Sequence, residues 1–144
     1  MLVKIKSEKS DFNRKFLQNR LNEELRDKNQ ALYEAKLKSK GNVISFYAYA
    51  DDEIIGGVVG VVQPTAWVKV EAIFIAEKYR HLDLGIRLIE QLSKVAGKKS
   101  CIGLMAEVWD FQNLQFFEKV GFTTFGKLDN CPPQHCVYYM KKVL

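Results

Sequence analysis

A chain of 144 residues, 47% hydrophobic and 27% charged with a formal net charge of +5, has the composition of one soluble globular domain, 1–144, able to bury its own core. No apolar run approaches the roughly 20 residues of a membrane span, and MLVKIKSEKSDF lacks an apolar signal region, so neither membrane nor export is expected and the cytoplasm is. Cys101, Cys131 and Cys136 are odd in number and unevenly spaced, which fits a reducing compartment rather than a disulfide framework.

In chain order, Leu2–Lys6 alternates apolar and polar residues and predicts a short first strand. Ser10 or Asp11 then caps a helix whose stripe of Phe12, Phe16, Leu17, Leu21, Leu25 and Leu32 runs to about residue 37, with a break near Asn29 and a stop at Gly41-Asn42. VISFYAYA (Val43–Ala50) and IIGGVVGVVQ (Ile54–Gln63) form a hairpin about Asp51-Asp52-Glu53. Gly56, Gly57 and Gly60 mark a bulge or a close backbone approach in its second strand.

Val68–Ala96 is the stretch with most to say. It begins as a strand ending in the apolar run Ala72-Ile73-Phe74-Ile75 and closes as a helix with Leu84, Leu88, Ile89, Leu92, Val95 and Ala96 on one face. The loop Glu77–Gly85 delivers the chain from the strand to the helix N-terminus, whose first N–H groups lack intrahelical partners and suit a phosphate. Cys101–Trp109 predicts a strand, Phe111–Val120 a short helix ended by Gly121, Phe122–Asp129 a strand, Asn130–Gln134 a proline-stiffened loop, and Cys136–Val143 a final strand. Hairpin strands followed by alternating strands and helices predict an α/β (α+β) domain: a mixed sheet with helices on both faces.

Two motifs in this order resemble the GNAT superfamily of acetyl-CoA-dependent N-acetyltransferases. Glu77–Ile86 (EKYRHLDLGI) is similar to that family's acetyl-CoA loop, and Phe116–Phe122 (FFEKVGF) to its second signature, F-Y-E-K-x-G-F. Phe111-Gln112, Gly126, Pro132-Pro133-Gln134-His135 and the closing Met140-Lys141-Lys142 resemble a bacterial subgroup. The resemblance is good from Ile54 to Leu144, and the first third shares only the layout. It implies a mostly antiparallel central sheet of six to seven strands, splayed at the centre. It also implies transfer of acetyl from acetyl-CoA to a primary amine of a small molecule or peptide by direct attack, without a metal.

The same resemblance assigns roles. Backbone groups of Phe74 and Ile75 pair with the pantetheine arm as an added strand would. N–H groups from Leu82, Asp83, Leu84, Gly85 and Ile86 hold the pyrophosphate, with Arg80, His81 and Arg87 adding positive charge. Three departures from the pattern matter. Asp83 replaces the loop's first glycine, and its carboxylate either caps the helix, weakening CoA binding, or turns outward and leaves the backbone to act. Phe117 replaces a tyrosine thought to protonate the departing thiolate, leaving that proton to water or to Tyr79, Tyr138 or Tyr139. Asp110 stands where asparagine is usual and cannot donate as an amide does.

For the general base, three residues stand as candidates. Glu71 lies on the strand leading to the cradle between apolar neighbours, His135 has a suitable intrinsic pKa in a stiff loop, and Glu107 lies on the strand after the central helix. A backbone N–H near Ile75 is the economical oxyanion donor. The departures leave an alternative open: a GNAT-like protein that binds CoA or acyl-CoA with weak or no catalysis. Cys131, His135 and Cys136 share one loop with no second ligand pair, a poor zinc pattern. The scattered lysines accompany no nucleic-acid motif, so no nucleic-acid partner is expected. The last strands and Trp67 offer a surface for a homodimer.

Overall fold

In the computed structural model the described residues are 1–38 and 42–144, and they fall into two compact units, Met1–Lys38 and the remainder. The first unit holds α1 (Asp11–Lys28) and α2 (Gln30–Lys38). Ser10 caps α1, its hydroxyl oxygen accepting from the Asn13 N–H at 3.1 Å. Asn29 interrupts the helix at φ −152° and its Oδ1 accepts from the Leu32 N–H, so the break and the second cap are one residue. The expected stop at Gly41 lies outside the described residues. Leu2–Lys6 forms no strand. Alternation alone does not hold a strand without a neighbour to supply its ladder, and among the described residues Leu2–Lys6 makes none.

The second unit is built on a six-stranded, mostly antiparallel sheet in the order β1-β2-β3-β4-β6-β5. Its strands are β1 (Val43–Ala50), β2 (Glu53–Val62), β3 (Trp67–Ile75), β4 (Gly103–Trp109), β5 (Thr123–Asp129) and β6 (Cys136–Val143). The β1–β2 turn puts Asp51 and Asp52 at φ 48° and 69°, both left-handed, as a tight primed turn requires. Aspartate tolerates that region better than most residues. Among the described strands the β3–β4 pair alone is parallel, because α3 (Leu84–Lys98) crosses between them. α3 buries Leu88, Ile89, Leu92 and Ala96 in a core with Val58, Val68, Leu104, Val108 and Met140. Gly60 has no room for a side chain, since a Cβ there would fall 2.7 Å from Val68 and 2.9 Å from Leu92. Among the described residues no helix is long and apolar enough to cross a membrane.

α4 (Leu114–Lys119) is shorter than its periodicity predicts. The Asn113 Oδ1 accepts from the Phe116 N–H and the Gln112 Oε1 from the Trp109 N–H, so residues 110–113 form a turn instead of a first helical turn. Gly121 ends it at φ 103°, a conformation few other residues adopt.

Candidate active site

A fork in the sheet creates the site. β3 and β4 pair with each other only over Trp67–Lys69 with Gly103–Met105; beyond that β3 runs on to Ile75 paired with β2 and β4 to Trp109 paired with β6, and the two part. The register of β2 on β3 passes from Val59–Ala72 to Gly60–Val70, so Glu71 is an extra residue with no partner opposite it. A bulge of this kind increases local twist and bends its strand, which carries the end of β3 away from β4. The resulting cleft is about 960 Å³ and is lined by residues from both strands, the loop before α3 and α4.

Past the bulge, the Ala76 N–H donates to the Ile55 carbonyl at 2.7 Å, and Phe74 lies opposite Gly57. Alternation along the ladder therefore turns the backbone of Phe74 toward β2 and that of Ile73 and Ile75 into the fork. Of the expected pair, the backbone of Ile75 turns into the fork and that of Phe74 does not, and Ile73 joins Ile75 there. Gly56 lets β2 come this close, for a Cβ there would sit 2.7 Å from the Phe74 oxygen. One of the fork-facing groups already has a partner: the Arg80 Nε–H donates to the Ile75 carbonyl oxygen at 2.8 Å.

The strand-to-helix loop is a 3-10 turn over Glu77–Leu82, closed by Asp83 at φ 55°, ψ 26°. Asp83 thus takes the left-handed conformation that a glycine would take there, and its carboxylate makes no capping hydrogen bond to α3. The capping alternative therefore does not describe it. Its carbonyl accepts from the Arg87 N–H at 3.2 Å, which begins the helix and leaves the N–H groups of Leu84, Gly85 and Ile86 without intrahelical acceptors. Asp83, Gly85 and Ile86 line the cleft with Arg80, whereas Leu82, Leu84, His81 and Arg87 do not.

Gly85 adjoins the second motif directly. A Cβ on it would fall 2.8 Å from Phe116 Cε1, so the glycine serves close packing rather than an unusual φ. Phe116 meets Phe117 edge-on (5.4 Å, 70°) and Phe117 meets buried Phe122 likewise (5.3 Å, 86°). Phe117 lines the cleft; Tyr79, Tyr138 and Tyr139 do not.

Of the three candidate bases, two face the cleft. Glu71 and Glu107 line it from opposite banks. Lys69 pairs with Glu107 (3.7 Å), not Glu71, and Glu71 has no ion-pair partner among the described residues. His135 lies outside the lining, with its Nδ1 2.9 Å from Asp110 Oδ1. Asp110 is also outside it, because its second oxygen accepts from the Cys136 N–H at 3.1 Å. Desolvation works to raise the Asp110 carboxyl, but the hydrogen bonds from His135 and Cys136 and the charge of His135 outweigh it, holding the group below its ordinary value. Asp110 and His135 together tie the loop before β6 to the end of β4. Sequence reasoning missed Gln112, Asn113, Gln115 and Lys119, all on the lining. Lys119 follows the recognised Phe-Phe-Glu, and its side of a short helix could be read only once that helix's start was known.

The chain matches the Acetyltransferase (GNAT) family over residues 7–122. It is 35% identical over 82 residues to a blasticidin-S acetyltransferase of Streptomyces morookaense, 56% of this chain and 60% of that protein. The chain thus spans about three-fifths of the length of this curated relative. Among solved structures it resembles an acetyltransferase from Bacillus cereus, with TM-score 0.77, 20% identity and 98% of each chain covered. It also resembles a candidate streptothricin acetyltransferase from Bacillus anthracis in complex with acetyl coenzyme A, with TM-score 0.66, 26% identity, and 76% of this chain and 68% of that one covered.

Proposed function

The chain belongs to the Acetyltransferase (GNAT) family, and on that premise we propose that it moves an acetyl group from acetyl-CoA to a primary amine of a small molecule by direct attack in a ternary complex. The observation that carries this reading is the fork between β3 and β4, which opens at one end onto the N-terminus of α3. A thioester carried on a pantetheine arm needs backbone groups alongside the arm and N–H donors for its diphosphate. Ile73 and Ile75 offer the first, and Leu84, Gly85 and Ile86 the second. Arg80 and Lys119 add positive charge. The whole of residues 1–144 is read as one catalytic domain.

The acceptor arrives as an ammonium ion and must lose a proton before it attacks. Glu71, lining the cleft from the bulge and free of an ion pair among the described residues, is assigned this proton, with Glu107 across the fork helping to hold the cation. The nitrogen then bonds to the thioester carbonyl carbon as charge develops on its oxygen. The Ile75 N–H, turned into the fork, is the donor for that charge. The nitrogen, cationic once bonded, releases its second proton to water, the C–S bond breaks and the sulfur leaves as thiolate. Phe117 has no proton to give, so water supplies it; a thiol of pKa about 8.5 is a workable leaving group without an acid. A small-molecule acceptor is favoured by the names of the relatives, which include a blasticidin-S acetyltransferase.

Phe117 and Asp83 also support a second reading, a CoA-binding protein without turnover. Calorimetry with acetyl-CoA, followed by thiol release against a panel of amines that includes blasticidin S, separates the two. Binding with release supports transfer, binding without release supports the second reading, and no binding refutes both.

A further inference from the structure

The rim of the cleft carries two aromatic side chains that the fold leaves open, Phe74 at 63% and Phe111 at 64% exposure. A lone exposed phenylalanine means little. Phe111, however, is braced. Its ring stacks on Trp109 (6.3 Å, 21°) and meets His135 edge-on (5.2 Å, 83°). Trp109 is itself fixed by its Nε1–H donating to the Cys131 carbonyl at 3.0 Å, and His135 by Asp110. The ring therefore gives up its mobility inside the protein yet keeps much of its surface free. On the other bank, the Arg80 guanidinium lies 5.9 Å from the Phe74 ring centre.

Both rings belong to the side of the sheet away from α3. Ala106 and Val108 are buried in the core with α3, so alternation along β4 places Glu107 and Trp109 on the opposite face. Ile73 and Ile75 pack against that same core, which turns Phe74 the other way. The phosphate cradle belongs to α3 and its face. A braced flat surface and the carboxylate of Glu107 thus share the bank from which an acceptor approaches.

We propose that the acceptor is an amine bearing a flat aromatic or heteroaromatic group, which stacks on Phe111 while its ammonium meets Glu71 and Glu107. This rests on the reading that the cleft acetylates an amine. Orienting the ring orients the nitrogen, and a pre-braced platform lowers the entropy lost on binding.

The test compares 2-phenylethylamine with n-hexylamine, which carry the same charge. Thiol release and tryptophan fluorescence are measured on the wild type, Phe111→Ala and Phe111→Tyr, with acetyl-CoA affinity measured by calorimetry. The expected result is a lower KM for 2-phenylethylamine, raised roughly three- to tenfold in Phe111→Ala, with the n-hexylamine KM and acetyl-CoA affinity unchanged and Phe111→Tyr retaining the preference. Equal KM values for the two amines, or a Phe111→Ala defect in acetyl-CoA binding instead, overturns the proposal. If neither amine is acetylated, fluorescence decides. Saturable 2-phenylethylamine binding that Phe111→Ala abolishes supports the platform and refutes the reaction, and absence of binding refutes both.

Discussion

Gly85→Ala tests the coupling between the two motifs. Alanine in the first turn of α3 would ordinarily help, by about 1 kcal/mol of helix propensity. Here its Cβ falls 2.8 Å and 3.0 Å from the Phe116 Cε1 and Cζ atoms, where carbon contacts prefer about 3.5–4.0 Å. Phe116 must therefore yield by up to about 1 Å. It backs onto Phe117 and through it onto buried Phe122, so the ring has little freedom to do so. Overpacking of this kind costs about 1–3 kcal/mol. The steric term wins, leaving a net loss of about 1 kcal/mol and a Tm lower by roughly 3–6 °C. Thermal denaturation followed by circular dichroism measures it. Acetyl-CoA affinity should fall several-fold, because α3 and α4 can no longer approach as closely. Adding Phe116→Leu should recover part of both losses, a coupling of at least about 0.5 kcal/mol. If Gly85→Ala instead raises Tm, propensity is the only force acting at this position and the packing account is wrong.

Three further outcomes are expected. Asp83→Gly keeps the left-handed conformation and removes a negative charge beside the N–H cluster, so calorimetry should find acetyl-CoA bound roughly three- to tenfold tighter; unchanged affinity would mean that Asp83 is remote from the phosphates. Glu71→Gln keeps the shape but cannot take a proton, so kcat should fall by a factor of about 10² or more with acetyl-CoA affinity unchanged, and a rate within threefold of wild type would remove Glu71 as the base. Asp110 has a folded pKa below its ordinary 3.8, so its stabilisation is fully present above about pH 4 and is lost as pH falls through the folded value. Asp110→Asn should flatten that acid limb in urea titrations across pH 2–5, whereas an identical acid limb in the variant would show that another group sets it.

What the sequence determined by itself is what neighbouring residues decide among themselves. Ser10 caps its own helix and Asn29 breaks it, Asp51 and Asp52 turn the hairpin, Gly121 ends α4, and Glu77–Gly85 leads a strand into a helix N-terminus. Each rests on contacts within a few residues, or on a periodicity that survives without knowledge of the partner. The two motifs added the family and, through it, the expectation of a splayed sheet. Only the tertiary structure decided the rest. The bulge at Glu71 exists because β2 and β3 pair out of step, a relation between two strands that neither encodes alone. Leu2–Lys6 has the pattern of a strand and, among the described residues, no partner to make it one. Asp110 turned from the cleft to a histidine and a backbone N–H 25 and 26 positions away, and Phe111, in the sequence no more than part of a motif, became a braced ring. Local propensity acts through a few bonds, whereas a cleft is made by chain segments that meet only after folding, so the chemistry of the loop was legible early and the shape of the acceptor's side was not.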